Sequence, residues 1–223
     1  MLCSSISVEG FMEKERLEVY LSTLLPALPA ELAEIERSAR EEGVPILRKD
    51  SQRLLRLLLA MQQPESILEI GTAVGFSASF MALCDTNVNI TTLEIDDTAA
   101  DRAEANFASL GHSDRIRLIR GDAAETLKGL SGPFDFVFMD AAKGQYPVYF
   151  KEVKRLLPAG GLLVTDNCLQ EGSILESRFA VRRRDRTIHE RVREFLDTVC
   201  RDPDFISDMI DSGDGVLVSR RIR

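Results

Sequence analysis

Ser66-Ile67-Leu68-Glu69-Ile70-Gly71-Thr72-Ala73-Val74-Gly75 is a short apolar run that ends directly in a glycine loop. A run of this length and texture reads as a buried strand. Glycine just beyond it lets the backbone turn tightly and approach a ligand with no Cβ in the way. The loop is not the dinucleotide pattern G-x-G-x-x-G, because position 73 is Ala, and this weighs against a nicotinamide oxidoreductase.

Downstream the same texture recurs. Apolar runs at 89–95, 115–119, 134–140 and 161–165 alternate with helical stretches. Ala99, Ala103, Phe107 and Leu110 mark one face of such a helix, with Asp96 or Asp97 placed to cap its start. Alternation of this kind predicts a parallel sheet covered by helices on both faces. The tail departs from it: runs at 205–210 and 216–220 flank Ser212-Gly213-Asp214-Gly215, a strong turn signal. They predict a terminal hairpin and an antiparallel last strand. Upstream, Leu17, Tyr20, Leu21 and Leu24 recur at helical spacing before Pro26, and Leu32, Ile35 and Ala39 before Gly43. Leu54, Leu57, Leu58 and Met61 stripe a third helix ending near Pro64. The expectation is one doubly wound α/β domain over residues 1–223, with seven strands and a helical segment, 1–63, packed on it.

The 223 residues are 44% hydrophobic and 29% charged, enough for one sizeable core. A net charge of −8 argues against indiscriminate nucleic-acid binding but leaves room for a local basic patch. Cys3, Cys84, Cys168 and Cys200 are scattered without metal-ligand spacing and read as buried small hydrophobes in a reducing compartment. The N-terminus shows no basic stretch leading into an apolar run, and no stretch approaches the roughly 20 apolar residues a bilayer requires. A cytoplasmic protein with no membrane partner is expected.

Open α/β sheets bind ligands beyond the carboxyl ends of their strands. Three loops should meet there: the one after strand one, the one after Glu94 at the end of strand two, and Gly121-Asp122-Ala123 after strand three. An acidic side chain at the end of strand two can accept hydrogen bonds from ribose hydroxyls, and the Asp122 region can meet an adenine edge. Taken singly, each glycine is a turn and each acid a helix cap. All three in order at strand ends favour a cofactor cleft.

Strand four ends in Phe138-Met139-Asp140, followed by Ala141-Ala142-Lys143, and strand five ends in Thr165-Asp166-Asn167. Asp140, Asp166 and Asn167 thus reach one sheet edge as two carboxylates and an amide oxygen. That all-oxygen set suits Mg²⁺ or another hard divalent cation. A cation there would lower the pKa of a substrate hydroxyl and orient it toward an electrophile. Lys143 is placed to take the proton if burial and a neighbouring cation depress its own pKa. The plainer alternatives are helix caps for the two acids and a surface lysine.

With ILEIGTAVGFSAS, TLEID, GDAAE, FMDAAKGQYPVYF and VTDNCLQEG in this order, the chain resembles the cation-dependent O-methyltransferases of the catechol and caffeoyl-CoA type, from about Leu47 to the C-terminus. D-x-x-K followed by D-N is the specific part. The resemblance implies a class I, Rossmann-like methyltransferase fold using S-adenosylmethionine (SAM). It implies SAM contacts from Leu47, Glu69, Gly71, Gly75, Ser77, Glu94, Asp122, Ala123 and Asp140, a metal held by Asp140, Asp166 and Asn167, catalysis by Lys143 with Asp140, and a homodimer. Within the family the chain is most similar to bacterial tRNA 5-hydroxyuridine methyltransferases, through VPI before the first core helix, DAAKGQY, TDN, a basic run and the GDG hairpin.

That similarity implies tRNA as acceptor, methylated at a wobble 5-hydroxyuridine. Arg178, Arg182, Arg183, Arg184, Arg186, Arg191 and Arg193 would then hold phosphates, with Arg182, Arg183 and Arg184 at the centre. The plainer alternative is a solvated helix face balanced by Asp185, Glu190 and Glu194. Tyr149 reads as packing on the helix after strand four, and Tyr146 is left open as a base-stacking residue. The alternative acceptor is a small catechol-like phenol, whose vicinal oxygens chelate a metal as O4 and O5 of 5-hydroxyuridine would. A catalytically inert SAM-binding module is disfavoured by the intact Asp140, Lys143, Asp166 and Asn167.

Overall fold

The computed structural model describes residues 8–223, with side chains from residue 16 onward. Cys3 lies outside the described residues. Three helices, α1 (Val8–Thr23), α2 (Ala30–Glu41) and α3 (Lys49–Gln62), precede the sheet. Then follow β1 (Ser66–Ile70), α4 (Phe76–Cys84), β2 (Asn89–Glu94), α5 (Asp97–Ser109), β3 (Ile116–Arg120), α6 (Ala123–Gly129) and β4 (Phe136–Met139). The chain closes with α7 (Tyr146–Leu156), β5 (Leu162–Thr165), α8 (Arg186–Arg201), β6 (Phe205–Ile210) and β7 (Val216–Arg221). Every expected strand forms. Asp96, not Asp97, caps α5, accepting from the Ala99 amide.

The seven strands lie in the order β3-β2-β1-β4-β5-β7-β6. Alternate residues along each strand feed two separate cores, as the period of two in a strand requires. Ile67, Ile90, Phe136, Phe138 and Val164 pack with α3, α4 and α5 on one face, and Leu68, Ile70, Val137, Met139 and Leu163 with α6, α7 and α8 on the other. β7 pairs antiparallel with both β5 and β6, so the expected antiparallel strand lies inside the sheet and β6 takes the edge. Burial explains the order: Val216 and Leu217 of β7 are fully covered, whereas β6 alternates between buried and exposed, as an edge tolerates.

The N-terminal helices form where the spacing places them, and the structure adds which residues they bury. The buried side of α3 is Leu55 and Leu59, with Asp50, Ser51 and Gln52 in its first turn. Leu57 and Met61 point outward, 56% and 74% exposed, as do Leu17, Tyr20 and Leu24 near α1. An apolar stripe in sequence therefore marks an apolar face without saying what covers it. The cysteines differ from expectation, since Cys168 is buried but Cys84 is half-buried and Cys200 exposed. Among the described residues no helix is long and apolar enough to cross a membrane.

Candidate active site

Strand register decides which loops meet. Ile70 pairs with Leu93 on one side and Met139 on the other, and Met139 pairs with Thr165. The residues that follow, Gly71, Glu94, Asp140 and Asp166, consequently line up along one sheet edge. Sheet order reverses between β1 and β4, where neighbouring strands send their connections to opposite faces and leave a crevice. A cavity of about 1240 Å³ opens there, walled by Leu47, Gly71, Ser77, Glu94, Asp122, Ala123, Asp140, Lys143, Asp166, Asn167, Arg182 and Arg184 among others.

The glycines of the first loop serve packing. Gly71 has φ +102°, and a Cβ there would overlap the Asp140 carbonyl. Gly75, at φ +81°, faces the Phe107 ring, 2.6 Å from where a Cβ would sit. Gly75 thus lies off the cavity wall and lets α5 close against α4. A Cβ at either glycine would thus meet neighbouring protein, and of the two only Gly71 lines the cavity.

Glu69 is fully buried beneath the loop. Thr72 and Thr92 hydroxyls lie 2.5 Å apart, and Thr92 in turn donates to the Glu69 carboxylate. Burial pushes the Glu69 carboxyl up to about 8, against the Ser77 and Thr92 hydroxyls that favour its charged form. Glu94 accepts the Ala73 amide at 2.8 Å and the Ile95 and Asp96 amides at 2.9 Å, so one carboxylate ties two loops of the cleft together. Asp122 caps α6 through the Ala124 amide. Leu47 is held over the cleft by Gln52, whose amide donates to the Leu47 carbonyl at 2.9 Å and to Glu36 at 3.0 Å. Burial pushes the Glu36 carboxyl up, but donors from Lys49, Arg40 and Gln52 outweigh it and leave it below the usual range.

Asp140, Asp166 and Asn167 come together as expected. Asn167 Nδ2 donates to Asp140 Oδ1 at 3.1 Å, while Asp166 Oδ1 accepts the Asn167 amide at 2.8 Å and the Ser51 hydroxyl at 3.3 Å. Burial first, and then the Asp140 charge, pushes the Asp166 carboxyl up to about 7; burial also raises Asp140. Two carboxylates held this way form a cluster short of positive charge, and a hard cation would complete it. Among the described residues no three His, Cys, Asp or Glu side chains gather as a metal set; beside the two carboxylates here stands an amide.

Arg182 and Arg184 reach the cavity wall from a turn before α8, while Arg183 does not. The arginine run is therefore split between loop and helix. Arg178 pairs with Glu190, and Arg186 and Arg193 donate to loop carbonyls. Tyr146 is fully buried against Phe195, so it is unavailable for stacking; Tyr149 packs as expected, with one edge on the cavity. Ser51, Arg48 and Asp214 also belong to this region, and their sequence context carries no sign of it.

A switch-point cleft on a sheet whose last strand runs antiparallel defines a class I methyltransferase fold. The chain belongs to the O-methyltransferase family, whose model matches residues 22–222, and is a SAM-dependent O-methyltransferase. It is 33% identical over 169 residues to a catechol O-methyltransferase from Niastella koreensis, covering 73% of this chain and 76% of the relative. It is 27% identical over 227 residues to a caffeoyl-CoA O-methyltransferase from Eucalyptus gunnii, covering 96% and 91%. The O-methyltransferase TomG from Streptomyces achromogenes, solved in complex with SAM, superposes with a TM-score of 0.81 at 26% identity, covering 93% and 96%.

Proposed function

We propose that this enzyme methylates one of two vicinal oxygens on a catechol-like acceptor, with a hard divalent cation such as Mg²⁺ at Asp140, Asp166 and Asn167. The observation that carries this reading is the joining of those three side chains with Lys143 on the wall of one cavity. The Niastella koreensis relative, a catechol O-methyltransferase, supports the acceptor class. When bound, SAM supplies the methyl group, and the cation supplies positive charge that makes a hydroxyl acidic near neutral pH.

The chain's own residues do the rest. Glu94 and Asp122 present carboxylates to the ribose and adenine end, with Leu47 and Ala123 as apolar walls and Ser77 toward the methionine end. Glu69 acts from beneath, shaping the loop through Thr92 and Thr72. Lys143 Nζ takes the proton from the acceptor hydroxyl. Asp140 serves both the cation and the cofactor side of the cleft.

A second reading, wobble 5-hydroxyuridine of tRNA, has its own support. Arg48, Arg182 and Arg184 share the cavity mouth in a chain of net charge −8. Among the described residues no carboxylate lies within ion-pair reach of Arg48 or Arg182, while Arg184 has Asp185 at 3.6 Å. Unneutralised guanidinium groups there suit a phosphate backbone. The deciding experiment supplies methyl-labelled SAM and Mg²⁺ with a catechol and, in parallel, with tRNA carrying 5-hydroxyuridine; EDTA and unmodified tRNA are controls. Label entering the catechol and lost with EDTA is expected. Label confined to the hydroxylated tRNA transfers the same chemistry to RNA, and no EDTA-sensitive label in either overturns both readings.

The exposed Leu17, Tyr20, Leu24, Leu57 and Met61 support a homodimer through the N-terminal helices. Light scattering of Leu57→Glu/Met61→Glu against wild type tests it: a dimer reduced to monomer is expected, and a monomeric wild type sinks it.

A further inference from the structure

The Gly213-Asp214-Gly215 turn joins β6 to β7, and its sequence announces only a hairpin. The structure folds it into the cavity wall. Gly213 donates its amide to Asp50, the Leu169 amide donates to the Asp214 carbonyl at 2.7 Å, and the Cys168 amide to the Gly215 carbonyl at 2.9 Å. A backbone tied at three points leaves the Asp214 side chain little freedom, and it is only 8% exposed. Its Oδ1 accepts the Glu171 amide at 2.6 Å. Glu171 sits at φ +55°, in the tight turn that follows Asn167 and opens the loop bearing the arginines. Asp214 Oδ2 lies 3.8 Å from Lys143 Nζ, with the lysine side chain 29% exposed.

Asp214 therefore spans two functional parts through two different oxygens. Lys143 carries a long, flexible side chain, and holding it in one rotamer costs conformational entropy. Among the described residues the only carboxylate within ion-pair distance of its ammonium is Asp214. We propose that Asp214 is a positioning residue that holds Lys143 toward the Asp140, Asp166 and Asn167 cluster. It does so in register with the arginine-bearing loop gripped by its other oxygen. The inference rests on the reading of Lys143 as the proton acceptor. In that step the acceptor O–H bond breaks, an N–H bond forms on neutral Lys143, and the resulting ammonium stands beside the Asp214 carboxylate.

The test is a double-mutant cycle with Asp214→Asn and Lys143→Met, alone and combined. Asp214→Asn is expected to lower kcat about tenfold, with KM for the acceptor within about twofold. In the Lys143→Met background it should lower kcat no further, because a residue acting through Lys143 has nothing left to position. Asp214→Ser keeps an acceptor for the Glu171 amide without the charge, and should lose kcat to the same degree. A readout independent of turnover uses the metal-free, SAM-free protein. Reductive methylation with formaldehyde, followed by peptide mass spectrometry, should label Lys143 several-fold faster once Asp214 is Asn. Equal losses from Asp214→Asn in both backgrounds, or unchanged labelling of Lys143, overturn the proposal and leave Asp214 a loop anchor. Full turnover in Lys143→Met overturns the reading of Lys143 itself, and the proposal with it. If Asp214→Asn does not fold, Asp214→Ser carries the same cycle and labelling.

Discussion

Asn167 Nδ2 donates to Asp140 Oδ1 at 3.1 Å, across the ends of β4 and β5. Asn167 reaches that position with φ +58°, a left-handed conformation that asparagine tolerates better than most residues. The next residue, Cys168, is pinned by its amide to the Gly215 carbonyl. The candidate metal cluster is thus held together by side chains from two strand ends and by the β6–β7 turn.

Asp166→Ala removes the more buried carboxylate of that cluster. Turnover should fall at least about a hundredfold, since such a site polarises the acceptor and orients it together. SAM affinity should stay within about twofold, because the proposed function puts Asp166 on the acceptor side. Activity assays with and without EDTA, paired with SAM titration calorimetry, check this; wild-type turnover would remove Asp166 from the site.

Glu94→Ala leaves the amides of Ala73, Ile95 and Asp96 without their acceptor and strips the cleft of a carboxylate. SAM binding should weaken by about 1–3 kcal/mol, the range for hydrogen bonds to charged groups. Turnover at saturating SAM should change much less. Calorimetry reads the first and steady-state kinetics the second; unaltered SAM affinity would contradict the assignment.

Glu69 makes stability depend on pH. Its folded carboxyl lies near 8, far above the roughly 4.3 of an exposed glutamate. Between those values the unfolded chain has released a proton that the native state keeps. Stability should therefore fall as pH rises, by up to about 1.4 kcal/mol per pH unit. Glu69→Gln should flatten that part of the curve. Urea unfolding of SAM-free protein in EDTA at pH 5, 6, 7 and 8 isolates it as the difference between the two proteins. Identical slopes would show that Glu69 is not responsible; Asp166, raised to about 7, adds a slope common to both.

Gly71→Ala should destabilise by about 1–3 kcal/mol or more, because a Cβ there overlaps backbone that cannot swing aside. Gly43 has φ +72° but nothing within 4 Å of its Cβ position. Gly43→Ala should cost only conformational strain, on the order of 1 kcal/mol. Denaturant midpoints of the two variants test the distinction. Equal losses would mean that strain, not the Asp140 carbonyl, explains Gly71.

Much of the site is legible in the chain because its residues stand where apolar runs stop. Asp140 after Met139 and Asp166 after Thr165 are visible as strand ends, and the alternation of strand and helix implies which edge they share. The helical stripes are less informative. Leu57 and Met61 have the right spacing for a buried face, yet Leu55 and Leu59 are the pair that α3 buries. Tyr146, an aromatic just past the cluster, faces Phe195 because α7 turns it into the core beneath β4 and β5.

By itself the sequence determined the strands, the doubly wound class, and the approach of Asp140, Asp166 and Asn167. All of these follow from local periodicity and from the rule that parallel strands expose their carboxyl ends on one edge. Tertiary structure alone decided that β7 would lie inside the sheet, that Gly75 would face Phe107, and that Arg182 and Arg184 would reach the cavity while Arg183 would not. It also decided that Asp214 would stand beside Lys143, 71 positions away in the chain. Local pattern reports which face of an element is apolar; which partner covers that face depends on long-range packing that no single segment encodes.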